Sequence, residues 1–329
     1  MDTDVRLELV HMQLTRKCNL NCWFCSQKDF KNYKLEATDT FMSLEDWKKV
    51  INSLADYREK SGISPSIMLW GGEPLLYKDF EKIVLYAHEL DFSLGMVTNG
   101  TMLSKYKELC HEAFDKIYIS VDGPAKIHNA IRGPGVFEQI KENMLELKGG
   151  PLLVNMAVLT SEVRNRLEWL LDAFVPLQPD EVILQELIGL NKDEITKYKN
   201  WLSSEFGQKV FEIDAWERSI DYEPARQKKD CLDQLQNLKY PFKVTYLPHG
   251  TEAKNKYCLS PFRHVSIQCN GNVSFCTDFT DYSAGNVKEV DLQDIFRSDV
   301  ADKFRREVVQ GNCITCMHCS WKNNSDFKL

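Results

Sequence analysis

Six times between residues 5 and 206, a short apolar run of strand character is followed by a longer segment with helical spacing. "VRLELVHMQL" precedes "SLEDWKKVINSLADY". The later pairs are "SIMLW" with "KDFEKIVLYAHEL", "SLGMVTNG" with "SKYKELCHEAF", "KIYISVDG" with "VFEQIKENMLEL", "LLVNMAVLT" with "RNRLEWLLDAF", and "EVILQEL" with "KDEITKYKNWLSSEF". Strands separated by helices pair in parallel through right-handed crossovers, so the expected class is α/β, either an open doubly wound sheet or a barrel. Ser43, with Asp46 three places on, has the pattern of a capping box at the first helix. In barrel-type sheets the chemistry sits in the loops that follow the strands. The marked residues fall there: a triple-cysteine loop after strand 1, "GGEP" after strand 2, "TNG" after strand 3 and "SVDG" at the end of strand 4. No comparable rhythm continues beyond about residue 206. Residues 207–257 read as a mixed linker, and 258–329 as a small cysteine-rich second domain.

Composition narrows the partners. An apolar share of 43% over 329 residues is ample for a packed core. The balance of 41 Lys and Arg against 48 Asp and Glu lacks the basic excess of a nucleic-acid binder. Residues 1–15 do not form a signal peptide, and no window approaches the ~20 apolar residues of a membrane span, so the expected location is cytoplasmic. Eleven cysteines in such a chain point to metal rather than to disulfides. They cluster at both ends, three by residue 25 and six between 258 and 319, which implies two metal sites.

Cys18, Cys22 and Cys25 share one loop, "RKCNLNCWFCSQ". Thiolates so spaced hold zinc or an iron-sulfur cluster. A structural zinc site takes four closed ligands, usually as two pairs, whereas this loop offers three. A four-iron cubane on three cysteines keeps one iron open to another ligand, as a catalytic metal site must.

This pattern resembles the radical S-adenosylmethionine (radical SAM) superfamily, whose signature is Cys-x3-Cys-x2-Cys after the first strand of a partial (β/α)6 barrel. Phe24 sits where the family has an aromatic residue before its third cysteine. "WGGEP", with Gly71, Gly72 and Glu73, matches the segment that in the family binds the amino group of SAM. The resemblance implies that the unique iron of a [4Fe-4S] cluster binds SAM. One electron then cleaves the S–C5′ bond, and the 5′-deoxyadenosyl radical abstracts hydrogen from an unactivated carbon, while the protein orients and excludes water. It also nominates Ser120, Asp122 and Asn155 at the ends of strands 4 and 5 as contacts for SAM. Arg132 is a candidate partner for a carboxylate, and Asn99 and Gln185 are candidates for the same cavity.

The span from Cys258 through Gly271 and Cys276 to "CITC" resembles the C-terminal SPASM extension of these enzymes, or its shorter twitch form, as in 2-deoxy-scyllo-inosamine dehydrogenase. A full SPASM domain carries further cysteines for two auxiliary clusters. Here only Cys319 follows Cys316, enough for one auxiliary [4Fe-4S] cluster. The twitch pattern assigns it to Cys258, Cys276, Cys313 and Cys316, with Cys319 able to replace one of them. Cys231 or Cys319 is a candidate hydrogen donor if a substrate radical is quenched by a thiol.

The implied activity is therefore dehydrogenation or epimerisation of a small polar metabolite, helped by the auxiliary cluster and fed by a flavodoxin or ferredoxin-type reductant; "TRK", residues 15–17, reads first as a solvated loop edge and second as a docking point for that reductant. Maturation of a ribosomally made peptide is the alternative. Strand 1 starts by about residue 5, without the ~80-residue leader-binding module that peptide-modifying relatives often carry, and this favours the small molecule. A non-enzymatic zinc scaffold is the remote third reading.

Overall fold

The computed structural model describes residues 4–27, 41–210, 212–218, 223–252 and 256–324. The six expected strands are present as β1 (Leu9–Thr15), β2 (Ser66–Gly71), β3 (Leu94–Thr98), β4 (Lys116–Ser120), β5 (Leu152–Leu159) and β6 (Glu181–Glu186). They pair in parallel, in chain order. The sheet curves around a lumen and stays open: its strand order is linear, with no pairing among the described residues that joins its two ends.

Side-chain parity divides each strand between two cores. Leu9, Met68, Tyr118, Val154, Ile183 and Leu247 form a small apolar cluster inside the curve, with Val97 and Met156 against it. The opposite parity, for example Val10, Met12, Ile67, Leu69, Ile117 and Ile119, belongs to the larger core beneath the helices. The first helix, Leu44–Ser61, shows why these segments fold as they do. Ser43 Oγ accepts from Asp46 N at 3.2 Å and the Asp46 carboxylate accepts from Ser43 N at 3.0 Å, the capping box expected from sequence. The helix then buries Trp47, Val50, Ile51 and Leu54.

The stretch read as a linker contributes more than a connection. Pro224–Leu235 is helical, and β7 (Lys243–Leu247) adds to the sheet beside β6 in parallel register, Glu181 opposite Lys243 through Gln185 opposite Leu247. The unit escapes a reading by periodicity because that helix buries only Gln227 and Cys231, too little apolar surface to show helical spacing. The cysteine-rich region also joins the sheet. Its β8 (His264–Ile267) pairs in parallel with β1, and β9 (Asn272–Ser274) and β10 (Gly285–Asn286) continue antiparallel. Helix Lys192–Phe206 docks on this region through Glu194 Oε1 and His318 Nε2 at 2.8 Å and through Trp201 Nε1, which donates to Glu307 at 2.9 Å. No helix among the described residues is long and apolar enough to cross a membrane.

Candidate active site

One cavity of about 380 Å³ opens at the C-terminal ends of the strands, and Cys18, Cys22 and Cys25 line it together with Cys258, Cys276, Cys313, Cys316 and Cys319. The two cysteine groups, over 200 residues apart in the chain, thus share one chamber. Among the described residues no three His, Cys, Asp or Glu side chains converge closely enough to grip a single metal ion. A tetrahedral zinc site draws its ligands to about 2 Å from one point, whereas a cubane takes thiolates on separate irons. The donor set, three thiols from one loop facing a chamber, fits a cubane that leaves one iron open.

The loop is set by its backbone. Gly72 N donates to Thr15 O and Glu73 N to Lys17 O, both at 2.8 Å, so the "GGE" turn lies directly on the residues that lead into Cys18. A Cβ on Gly71 would run into Thr15 O, and one on Gly72 into the carbonyls of Lys17 and Arg16; Gly71 also holds φ at 148°. These glycines serve close approach. Cys18 Sγ accepts from Leu20 N at 3.4 Å and from Asn99 Nδ2 at 3.8 Å, and Asn99 Nδ2 also donates to Asn19 Oδ1 at 2.8 Å. Burial pushes the free thiol of Cys22 up to about 11, against the pull of Arg132.

The nominated residues divide. Phe24, Gly71, Gly72, Asn99, Ser120, Arg132 and Gln185 line the chamber. Gln185 Oε1 is buried without a hydrogen-bond partner among the described residues. Glu73 is not among the residues that line the chamber. It is fully buried, and its carboxylate accepts from Leu75 N at 3.2 Å, Thr98 Oγ1 at 2.8 Å and Asn99 N at 2.8 Å. Its work is to tie the loop after β2 to the loop after β3, and burial holds its carboxyl above the usual range in spite of those bonds. Asp122, also fully buried, accepts from Arg132 Nε at 2.6 Å and from Val158 N at 3.3 Å. It orients Arg132, whose guanidinium lies 5.8 Å from the centre of the Phe24 ring. Asn155 lies outside the site. It shares parity with Leu153 and Ala157, and its amide donates to Met144 Sδ at 3.4 Å beneath a helix. Cys231 is buried on helix Pro224–Leu235 and does not line the chamber, which removes the geometry a hydrogen donor requires; Cys319 does line it, with Sγ 3.6 Å from Asp278 Oδ2.

Other chamber residues were not nominated from the sequence. Trp70, Tyr118, Met156 and Val158 give the lumen an apolar and aromatic wall, and Arg218 and Trp216 enter from the segment after residue 206. The parity of β2, β4 and β5 could have found the first four; nothing local marks the last two.

The sequence profile of the Radical SAM superfamily matches residues 12–173, and that of an iron-sulfur cluster-binding domain, SPASM, matches residues 258–320. The chain is 30% identical to Fe-coproporphyrin III synthase of Methanosarcina barkeri over 98% of its own length and 83% of that protein. It belongs to the radical SAM superfamily. AdoMet-dependent heme synthase of Oleidesulfovibrio alaskensis is 24% identical over 96% of this chain and 80% of that protein. Among solved structures, the radical SAM fold with its SPASM extension is similar to SuiB of Streptococcus suis bound to S-adenosylmethionine, with TM-score 0.68 and 15% identity over 98% of this chain and 75% of that one. It is also similar to anSMEcpe with bound AdoMet, with TM-score 0.68 and 17% identity over 96% and 88%. Membership brings SAM, a SAM-bound [4Fe-4S] cluster and auxiliary iron-sulfur ligation. The three thiols of the loop at Cys18, Cys22 and Cys25 fit a first cluster, and the five C-terminal thiols lie together along the same chamber.

Proposed function

We propose that this radical SAM enzyme oxidises a carbon of a substrate held between its two cysteine groups. When bound, the SAM-ligated cluster would supply a hydrogen-abstracting radical and the auxiliary cluster an acceptor for the substrate radical's electron, with one proton leaving the substrate. The observation that carries this reading is the single chamber: a substrate inside it has both cysteine groups within its walls. The chain's own residues bind and exclude water. Gln185 and Ser120 offer polar contacts on the lumen side, Arg132 is fixed by Asp122 at the loop side, and Trp70, Tyr118, Met156 and Val158 keep the space between them dry.

That wall favours a substrate presenting a hydrocarbon or aromatic group over the small polar metabolite expected from sequence. A side chain of a peptide has this character, and SuiB, which is similar in fold, has been seen bound to its precursor peptide SuiA. Reduction by a flavodoxin or ferredoxin belongs to the same proposal. The decisive experiment is anaerobic reconstitution followed by SAM and dithionite. We expect about eight irons per chain and formation of 5′-deoxyadenosine, and changing Cys18, Cys22 and Cys25 together to Ala should leave about four irons and no 5′-deoxyadenosine. Unchanged cleavage in the triple variant would end the reading.

A further inference from the structure

We infer that Arg218 is the positioning residue of the cysteine loop, a role that rests on the functional reading above. Its Nη2 donates to the carbonyl of Phe24, the residue just before Cys25, and its Nη1 donates to Ile188 O, just beyond β6, at 2.8 Å. Nη2 also reaches Ala215 O at 3.5 Å. One guanidinium therefore joins three backbone segments: the cysteine loop, the exit of β6 and the turn at 213–216.

The placement of Arg218 is fixed from behind. Leu190 N donates to Trp216 O at 2.9 Å and Arg218 N donates to Leu190 O at 3.1 Å, an isolated parallel bridge that holds the main chain on both sides of Glu217. The guanidinium carbon lies 5.7 Å from the centre of the Trp216 ring, and both side chains line the chamber. On the far side of the loop the Phe24 ring faces Arg132. Phe24 is thus held at its ring by one guanidinium and at its carbonyl by another. With that carbonyl fixed, the path from Cys22 to Cys25 is fixed, and so is the position of two of the three thiolates of the SAM-binding cluster. A planar fork is needed to serve diverging carbonyls at once, and an ammonium cannot reproduce it. Residues that orient a metal's ligands in this way commonly change affinity or activity by about 10–100-fold when removed.

The test compares full-length wild type, Arg218→Lys and Arg218→Met after anaerobic reconstitution, by electron paramagnetic resonance of the dithionite-reduced protein with and without SAM and by the rate of 5′-deoxyadenosine formation. In both variants the signal that responds to SAM should broaden or shift while the auxiliary signal stays as in wild type. SAM cleavage should slow by about tenfold or more, and Lys should not rescue it. Should Arg218→Met fail to fold, Arg218→Lys carries the test alone. Signals and rates equal to wild type, full rescue by Lys, or equal perturbation of both clusters would overturn the role. A wild type without any SAM-responsive signal would overturn the functional reading, and this inference with it.

Discussion

Glu73 shows how a motif residue can be legible and its work not. The "GGE" spelling marks the right turn, while the carboxylate accepts from Leu75 N, Thr98 Oγ1 and Asn99 N within the fold. Glu73→Gln replaces one acceptor oxygen by a donor amide and leaves at least one of those buried donors unserved, at about 1–3 kcal/mol. Denaturant unfolding of the metal-free protein should show that loss, and a variant as stable as wild type would mean that the carboxylate is not the tie. Asn155 carries the opposite lesson. Its type suggested a ligand contact, but the alternation of β5 already placed it with Leu153, Ala157 and Leu159, facing the helices. His128 was silent in the sequence and is titratable in the structure. Its Nδ1 accepts from Asp122 N at 3.1 Å, and burial first, then Arg132, lowers its pKa to about 4. Between that value and the ~6.5 of an unfolded histidine, only the unfolded chain takes up the proton. Stability is therefore full above about pH 6.5 and falls as pH drops toward 4, by on the order of 3 kcal/mol. His11, lowered to about 3 by burial and then by His264, adds in the same direction. Melting temperatures of the metal-free protein at pH 7 and 4.5 should differ less in His128→Asn than in wild type.

At the scale of elements, two glycine turns brace the two cysteine groups from behind. Gly72 lies on Arg16 and Lys17, and Gly250 lies on the backbone of Cys316 and Cys319. A methyl group at either meets main-chain oxygen rather than a side chain that can swing away, so each substitution pushes one loop and spares the other. Iron analysis should find Gly72→Ala short of iron at the first site, with the auxiliary site filled, and Gly250→Ala the reverse. Equal loss from both would refute this separation. The six βα units were legible because their strands are buried on both faces and their helices keep an apolar stripe. The unit ending in β7 was not, since seven of its helix's twelve residues are polar or charged, only Gln227 and Cys231 are buried, and its strand is half-buried. The first cysteine loop was legible through spacing alone, whereas Arg218 reaches its loop across 194 residues, a distance that no local pattern encodes.

At the scale of the molecule, the pairing of β8 with β1 means that the cysteine-rich region is part of the sheet rather than an appendage. Removing residues 258–329 should leave the β1 edge unpaired over Leu9–Met12 and yield an aggregating product even with the first cluster's ligands intact. Light scattering of the purified fragment checks this, and a monodisperse fragment that still cleaves SAM would contradict it.

The same pairing sets an order on biogenesis. A ribosome releases strand β1 first and its neighbour β8 some 250 residues later, so throughout most of synthesis the nascent chain carries an open sheet edge next to three bare thiols. Whatever delivers iron and sulfide to the first loop meets either that unfinished intermediate or a finished protein whose loading route runs through the chamber mouth. Oxygen reaching the chain early would find those thiols at their least protected.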